Sequence, residues 1–220
     1  MNPTNRTRLA RHPERGSFDR NAVNAVLDEA LICHLGFVVD GQPYVLPTTH
    51  ARIEDRLYVH GSVASRMLKT LRGGVPVCVT VTLIDGLVLA RRAFLHSMNY
   101  RSVVVLGTAT EVTDPEQRRR GFDALIEHIV PGRSAQVLAP NEKELNATLL
   151  LSVAITEASA KARSGPPHDR EEDLASPCWA GVVPLAVRAQ TPIADPHLAA
   201  GVPIPPEVAM YTRGPALRGG

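Results

Sequence analysis

The β-prone segments of this chain are joined mostly by tight turns rather than by helices, and this restricts the folds open to it. Leu31–Val39 is apolar and β-prone, and Asp40-Gly41 after it reads as a two-residue hairpin turn. Tyr44–Ile53 and Arg56–His60 then read as two more strands around a Glu54-Asp55 turn, which predicts a three-stranded meander. Val75–Ile84 is rich in valine and threonine, Asp85-Gly86 is a further turn signal, and Leu87–Arg91 can return as a strand. Ser102–Val112 is the clearest long strand. Regular strand–helix–strand alternation, which a parallel sheet needs, is missing. The expected class is therefore mainly β (α+β), with six or seven antiparallel strands closed into a barrel and two or three helices. An α+β sandwich is the alternative.

Helical signals punctuate this pattern. Val23, Val26 and Leu27 lie at helical spacing within Asp19–Ala30. Ser62 is a candidate cap for a helix with Val63, Met67, Leu68 and Leu71 on its buried side, stopped at Gly73-Gly74. Asp114-Pro115 opens a longer helix whose core face would be Phe122, Leu125, Ile126 and Ile129. A short helix over 141–147, a strand over Leu149–Ser159, a loop over 164–177 and a last strand over Gly181–Ala189 complete the body. The resulting division is a polar N-terminal arm (1–18), one domain (19–190) and an irregular Pro/Gly-rich tail (191–220).

Composition narrows the function classes. The formal net charge of +2 and the scattered basic residues give no electrostatic case for nucleic-acid binding. The one dense run, Arg118-Arg119-Arg120, falls on a predicted helix and reads as a solvated face. The three cysteines, Cys33, Cys78 and Cys178, form no Cys-x-x-Cys pair, which favours a reducing compartment over a disulfide framework. No secretory h-region opens the sequence, and no run approaches the roughly 18 apolar residues of a membrane span. A cytoplasmic, membrane-free protein is expected. Nucleotide-loop, zincin and nucleophile-elbow motifs are absent, and the eight histidines show no metal-ligand spacing, so no metal site is expected.

Two segments carry chemistry. In the first, His60-Gly61-Ser62 ends a strand just before a helix carrying Ser65, Arg66 and Lys69. A helix start suits a phosphate, and Arg66 adds a planar fork. On spacing alone, a capped helix with two solvated cations is the simpler reading. In the second, His96-Ser97-Met98-Asn99-Tyr100-Arg101-Ser102 leads donor-rich side chains into the long strand. Such a set can read the edge of a planar heterocycle, or it is a polar loop entering a strand. Trp179, the single tryptophan, fits a core, an interface or a ligand contact. His60 and His96 are candidates for proton transfer, because histidine titrates near neutrality.

Six segments, GQPYVLPT (41–48), LYVHGSVASRMLK (57–69), HSMNYRSVVVLG (96–107), HIVPGR (128–133), SAKARSGPP (159–167) and CWAGVVPL (178–185), together resemble the pyridoxamine 5′-phosphate oxidase-like family of flavin-binding split β-barrels. They look closest to its flavin-nucleotide-binding branch, which is similar to nitroimidazole-resistance proteins. The resemblance implies an antiparallel split barrel and a homodimer holding FMN at the subunit interface. It implies flavin contacts from Val45, Leu46, Pro47, Thr48 and Thr49, and phosphate contacts from His60, Ser65, Arg66 and Met67, with Lys69 as a substitute cation. Asn99, Arg101, Ser102 and Trp179 would touch the flavin from the other wall. The oxidases carry lysine where this chain has Met67, and also where it has His50. Their C-terminal arginine and histidine have no clear counterpart here beyond Arg188. The implied activity is an FMN-dependent oxidoreductase acting on an unknown small molecule. The alternative is a non-catalytic flavin- or haem-binding store or sensor.

Overall fold

The computed structural model describes residues 1–213. In chain order it contains β1 (Gly16–Ser17), α1 (Arg20–Glu29), β2 (Ile32–Val39), β3 (Gln42–Thr49), β4 (Ala51–Ile53), β5 (Arg56–Ser62), α2 (Arg66–Leu71), β6 (Gly73–Leu89) and β7 (Ser97–Glu111). These are followed by α3 (Pro115–Ile129), α4 (Glu142–Asn146), β8 (Thr148–Ala154), β9 (Glu157–Arg163), β10 (Gly181–Pro184) and α5 (Pro206–Ala209). All ten strands join one sheet, with the path β3-β2-β6-β7-β8-β5-β4, and every pairing is antiparallel.

The long strands β6 and β7 organise the molecule. β7 pairs with β9 along Tyr100–Leu106 and then with β8 along Ala109–Glu111. β6 likewise pairs with β10 along Gly86–Leu89 and with β2 along Cys78–Thr80. Each long strand thus hands one edge from one partner to the next, which splits the sheet into two wings. The main core lies on one side of it, where Val23 and Leu27 of α1 meet Leu35, Val79, Val103, Val105 and Leu151, all essentially inaccessible. A smaller core gathers Tyr58, Leu125 and Leu150 beneath α3.

Several expectations change in the folded chain. Residues 31–60 form no meander. β2 and β3 make one hairpin, β4 and β5 another, and the two stand at opposite ends of the sheet path. The break falls at His50, whose ring is buried and whose Nε2 donates to the Leu27 carbonyl at 2.9 Å, pulling the chain out of line. Asp85-Gly86 does not reverse the chain. It forms a bulge within β6, because both halves of β6 pair with the same long β7. A Cβ on Gly86 would lie 3.0 Å from the Val183 carbonyl, so glycine lets β10 close on this bulge.

β7 begins at Ser97 rather than 102, so the polar run before it is strand rather than loop. Leu149–Ser159 is two strands, β8 and β9, with a break at Ile155-Thr156, and the last strand stops at Pro184. The cap of α2 is Ser65, not Ser62; Ser65 Oγ accepts from Leu68 N, while Ser62 Oγ serves Ala64 N. Val63 and Ile129, expected inside, are exposed. Arg118 is not a solvated cation, since its guanidinium donates to the carbonyls of Leu145 and Thr148. The tail carries the four-residue α5.

Asp114 was legible as a cap and is one: its carboxylate accepts from Gln117 N at 2.8 Å, with Pro115 at the first helical position. Asp114→Ala is expected to cost about 1 kcal/mol in urea unfolding. An unchanged midpoint would contradict that role.

Candidate functional site

The residues singled out from sequence separate into two groups. The first surrounds β3 and the start of α2. β3 is an edge strand, and Val45, Leu46 and Pro47 are exposed on its two faces while Thr48 and Thr49 are half-buried. Tyr44 stacks on Phe37 at 5.5 Å and turns inward. The Arg66 guanidinium lies 5.4 Å from the centre of the Tyr44 ring, a cation–π contact that ties α2 to β3. Among the described residues Arg66 has no carboxylate partner, and both it and Lys69 are exposed. Met67 packs against the core. α2 can sit this close because β5 offers Gly61 beneath it, where a Cβ would lie 2.8 Å from Leu68.

Strand alternation sets His60 apart from this group. Gly61 faces α2, so His60 faces α3, where its ring meets Phe122 edge-on at 6.3 Å. Its Nδ1 has no partner among the described residues, and burial holds its pKa below the usual histidine value. His50, at the position where the oxidases carry lysine, is likewise no surface cation. It is buried, burial is the main cause pushing its pKa down to about 4, and the neighbouring His128 adds to that.

The second group lies on β7. Asn99 is buried; its Nδ2 donates to the Gly165 carbonyl at 3.1 Å and its Oδ1 accepts from Arg163. Ser102 Oγ donates to the Lys161 carbonyl at 3.3 Å. Arg101 is held by two carboxylates at once, Asp85 at 2.7 and 2.9 Å and Glu29, and these hydrogen bonds raise its pKa. All three side chains are therefore engaged within the chain, tying β7 to β9, the 164–177 loop and α1. Trp179 is exposed, with its ring over Gly181.

Next to this group the fold assembles a cleft of about 420 Å³ that no motif announced. The N-terminal segment contributes Arg11, His12 and Arg15, the entry to β7 Phe94, His96 and Tyr100, β9 Lys161 and Arg163, and the loop His168. None of its lining residues among those described is acidic. Its arginines and lysine come from stretches about 150 positions apart, 11–15 and 161–163, and the His96–Tyr100 entry to β7 lies between them in the chain.

The domain model described as "Pyridoxamine 5′-phosphate oxidase" matches residues 19–162. The chain belongs to this family. Its structural relatives include the flavocytochrome Anf3 of Azotobacter vinelandii, 38% identical over 96% of this chain and 99% of that one, with a TM-score of 0.90. The FAD and haem binding protein of Mycobacterium smegmatis is 39% identical over 90% of this chain and 98% of its own, with a TM-score of 0.86. A Bacteroides thetaiotaomicron structure linked to 5-nitroimidazole resistance shares the fold, at 21% identity and a TM-score of 0.57. No protein of curated function matches the chain. Within this flavin-binding family the split barrel is the shared frame, and the antiparallel sheet described above is that frame. No helix of the described residues is long and apolar enough to cross a membrane.

Proposed function

We propose that this protein is a flavin-dependent redox protein that also holds haem, with the flavin seated against β3 and α2. The observation that carries the flavin reading is Arg66. It is an exposed guanidinium without an acidic partner among the described residues, fixed over Tyr44 beside a strand whose backbone and apolar side chains are open. A flavin phosphate supplies the missing anion, and the β3 edge suits a flat ring. FMN is the flavin that the sequence resemblance implies. The full-length likeness to a flavocytochrome and to an FAD and haem binding protein supports flavin and haem together, and makes FAD the alternative to FMN.

A bound flavin would supply the hydride or electron transfer, while the chain binds, orients and shields it. Arg66 and Lys69 would neutralise phosphate, and β3 would present N–H and C=O groups to the ring edge. The exposed apolar residues of β3, an uncovered strand edge, support a second copy of the chain packing there and completing the site as a homodimer. His96, which is exposed, is better placed than His60 to exchange a proton with a small substrate. The reading implies neither nucleic acid nor membrane as partner.

Purified protein is expected to be yellow, and chromatography of the released flavin identifies it as FMN or FAD. Arg66→Ala should weaken flavin binding about tenfold or more, since a charge-assisted hydrogen bond contributes about 1.5–3 kcal/mol. Because Arg66 is exposed, thermal stability of the flavin-free protein should barely move. Colourless protein that takes up neither flavin overturns the reading.

A further inference from the structure

The N-terminal segment is pinned across β9, and the pinning builds the cationic cleft. Thr4 and Arg6 both engage Glu157 at the start of β9, and β1 pairs with β9 through Gly16↔Lys161 and Ser17↔Ala160. Between these anchors the chain packs Leu9 over Gly16, where a Cβ would collide with the leucine, and it brings Arg11 and Arg15 to the cleft. β9 adds two more cations. Lys161 and Arg163 are two residues apart on one strand, so both side chains leave the same face, about 7 Å apart. Tyr100 of β7 is paired directly with Arg163 and stands on that face beside it.

The charge gathered there is not balanced within the described residues. Arg11 and Lys161 pair with no carboxylate, and Lys161 Nζ donates only to the Arg11 carbonyl, at 3.4 Å. Arg163, 7% exposed, donates to Asn99, Gly165 and Pro166, none of them charged, and its Nε takes no part in these bonds. Burial first, and then the nearby Arg15, lower its pKa. Glu14 is the acid at the rim; it lies 3.7 Å from Arg15 Nε and also engages His12, so it offsets at most one of the permanent cations. Like charges held this closely repel one another, and a multivalent anion would relieve that repulsion. The cleft, at about 420 Å³, has the size of a small-molecule site.

We propose that this cleft binds a small-molecule diphosphate, free or esterified, with its oxygens on Arg11, Arg15 and Lys161 and the buried charge of Arg163 behind them. Each guanidinium presents a planar fork that grips phosphate oxygens two at a time, and Lys161 adds a point charge. A monocarboxylate would offset one cation and leave the others repelling. The site is separate from the Arg66 group and stands whether or not that group holds a flavin.

The test is calorimetric titration of inorganic pyrophosphate, ADP and citrate into the protein as purified, repeated with FMN in excess. Wild-type protein is expected to bind pyrophosphate and ADP, with or without FMN, and citrate more weakly than either. The Arg11→Gln/Lys161→Gln double variant should bind both diphosphates about tenfold or more weakly, since each lost charge-assisted hydrogen bond is worth that much. Its circular dichroism and any bound flavin should match wild type. Arg11→Gln alone removes only an exposed side chain, so it leaves the fold intact and should still weaken pyrophosphate severalfold. ADP binding tighter than pyrophosphate, with the difference lost in Phe94→Ala, identifies an ester whose organic part lies on the exposed Phe94 ring; otherwise the free anion is the occupant. The proposal fails if wild-type protein binds neither diphosphate, if citrate binds as tightly, or if both variants bind as wild type does. It fails too if FMN and pyrophosphate displace each other, because the anion then sits at the flavin site, and in that case the flavin reading survives.

Discussion

Taking the protein from neutral pH to below about pH 4 should remove about 3 kcal/mol of folding stability through His50 alone. His50 titrates at about 4 in the folded chain and at an ordinary 6.5 when unfolded, and each unit of difference corresponds to about 1.4 kcal/mol. Between these values the unfolded chain binds the proton and the folded chain does not, so stability falls as pH falls through that window. The cause is geometric. Burial removes His50 from water, its Nε2 already donates to Leu27, and its Nδ1 has no acceptor among the described residues for a second proton. The His128 ring lies 4.8 Å away, and the Arg213 guanidinium adds further positive charge. His60 and His128 also have depressed values, with burial the main cause of each, and act in the same direction. Urea unfolding at a series of pH values measures the slope. His50→Gln, which can still donate to Leu27, should be flatter across the window; a wild-type profile flat from pH 6.5 to 4 would show that His50 is not buried as described.

Arg101→Ala should destabilise the protein by about 3 kcal/mol, because a charge-assisted hydrogen bond contributes about 1.5–3 kcal/mol and stranded carboxylates add a penalty. At this chain length that corresponds to a melting temperature lower by about 10 °C. The guanidinium bridges Glu29, at the end of α1, and Asp85, at the β6 bulge, and removing it leaves two half-buried carboxylates facing each other. Arg101→Lys should recover little, since an ammonium cannot form both forks. Glu29→Gln placed in the Arg101→Ala background should restore part of the loss by removing one stranded charge. If Arg101→Ala keeps the wild-type melting temperature but loses flavin, its role is in binding rather than in holding the fold.

These two residues also show how far the sequence could be read. The Asp40-Gly41 hairpin, the Asp114-Pro115 helix start and the β-branched strand through Val105 were legible because their signals are local: a left-handed turn at two positions, a capped helix end, an alternating strand. Asp85-Gly86 carries the same local signal and yet forms a bulge. The decision lay with β7, a strand long enough to pair with both halves of β6. Arg101 reads in sequence as a free donor beside a ligand, but carboxylates 16 and 72 positions away claim it.

The sequence by itself determined the antiparallel β class, the Asp114 helix cap and the family, and through the family resemblance it marked the Arg66 segment as the candidate phosphate grip. Each depends on short-range backbone chemistry or on motifs contiguous in the chain. Only the tertiary structure decided which donors are already engaged, that His50 is a buried neutral side chain, and that Arg11, Arg15, His96, Lys161 and Arg163 surround one cleft. Burial and charge clustering arise from packing between segments far apart in the chain, and no local pattern records them.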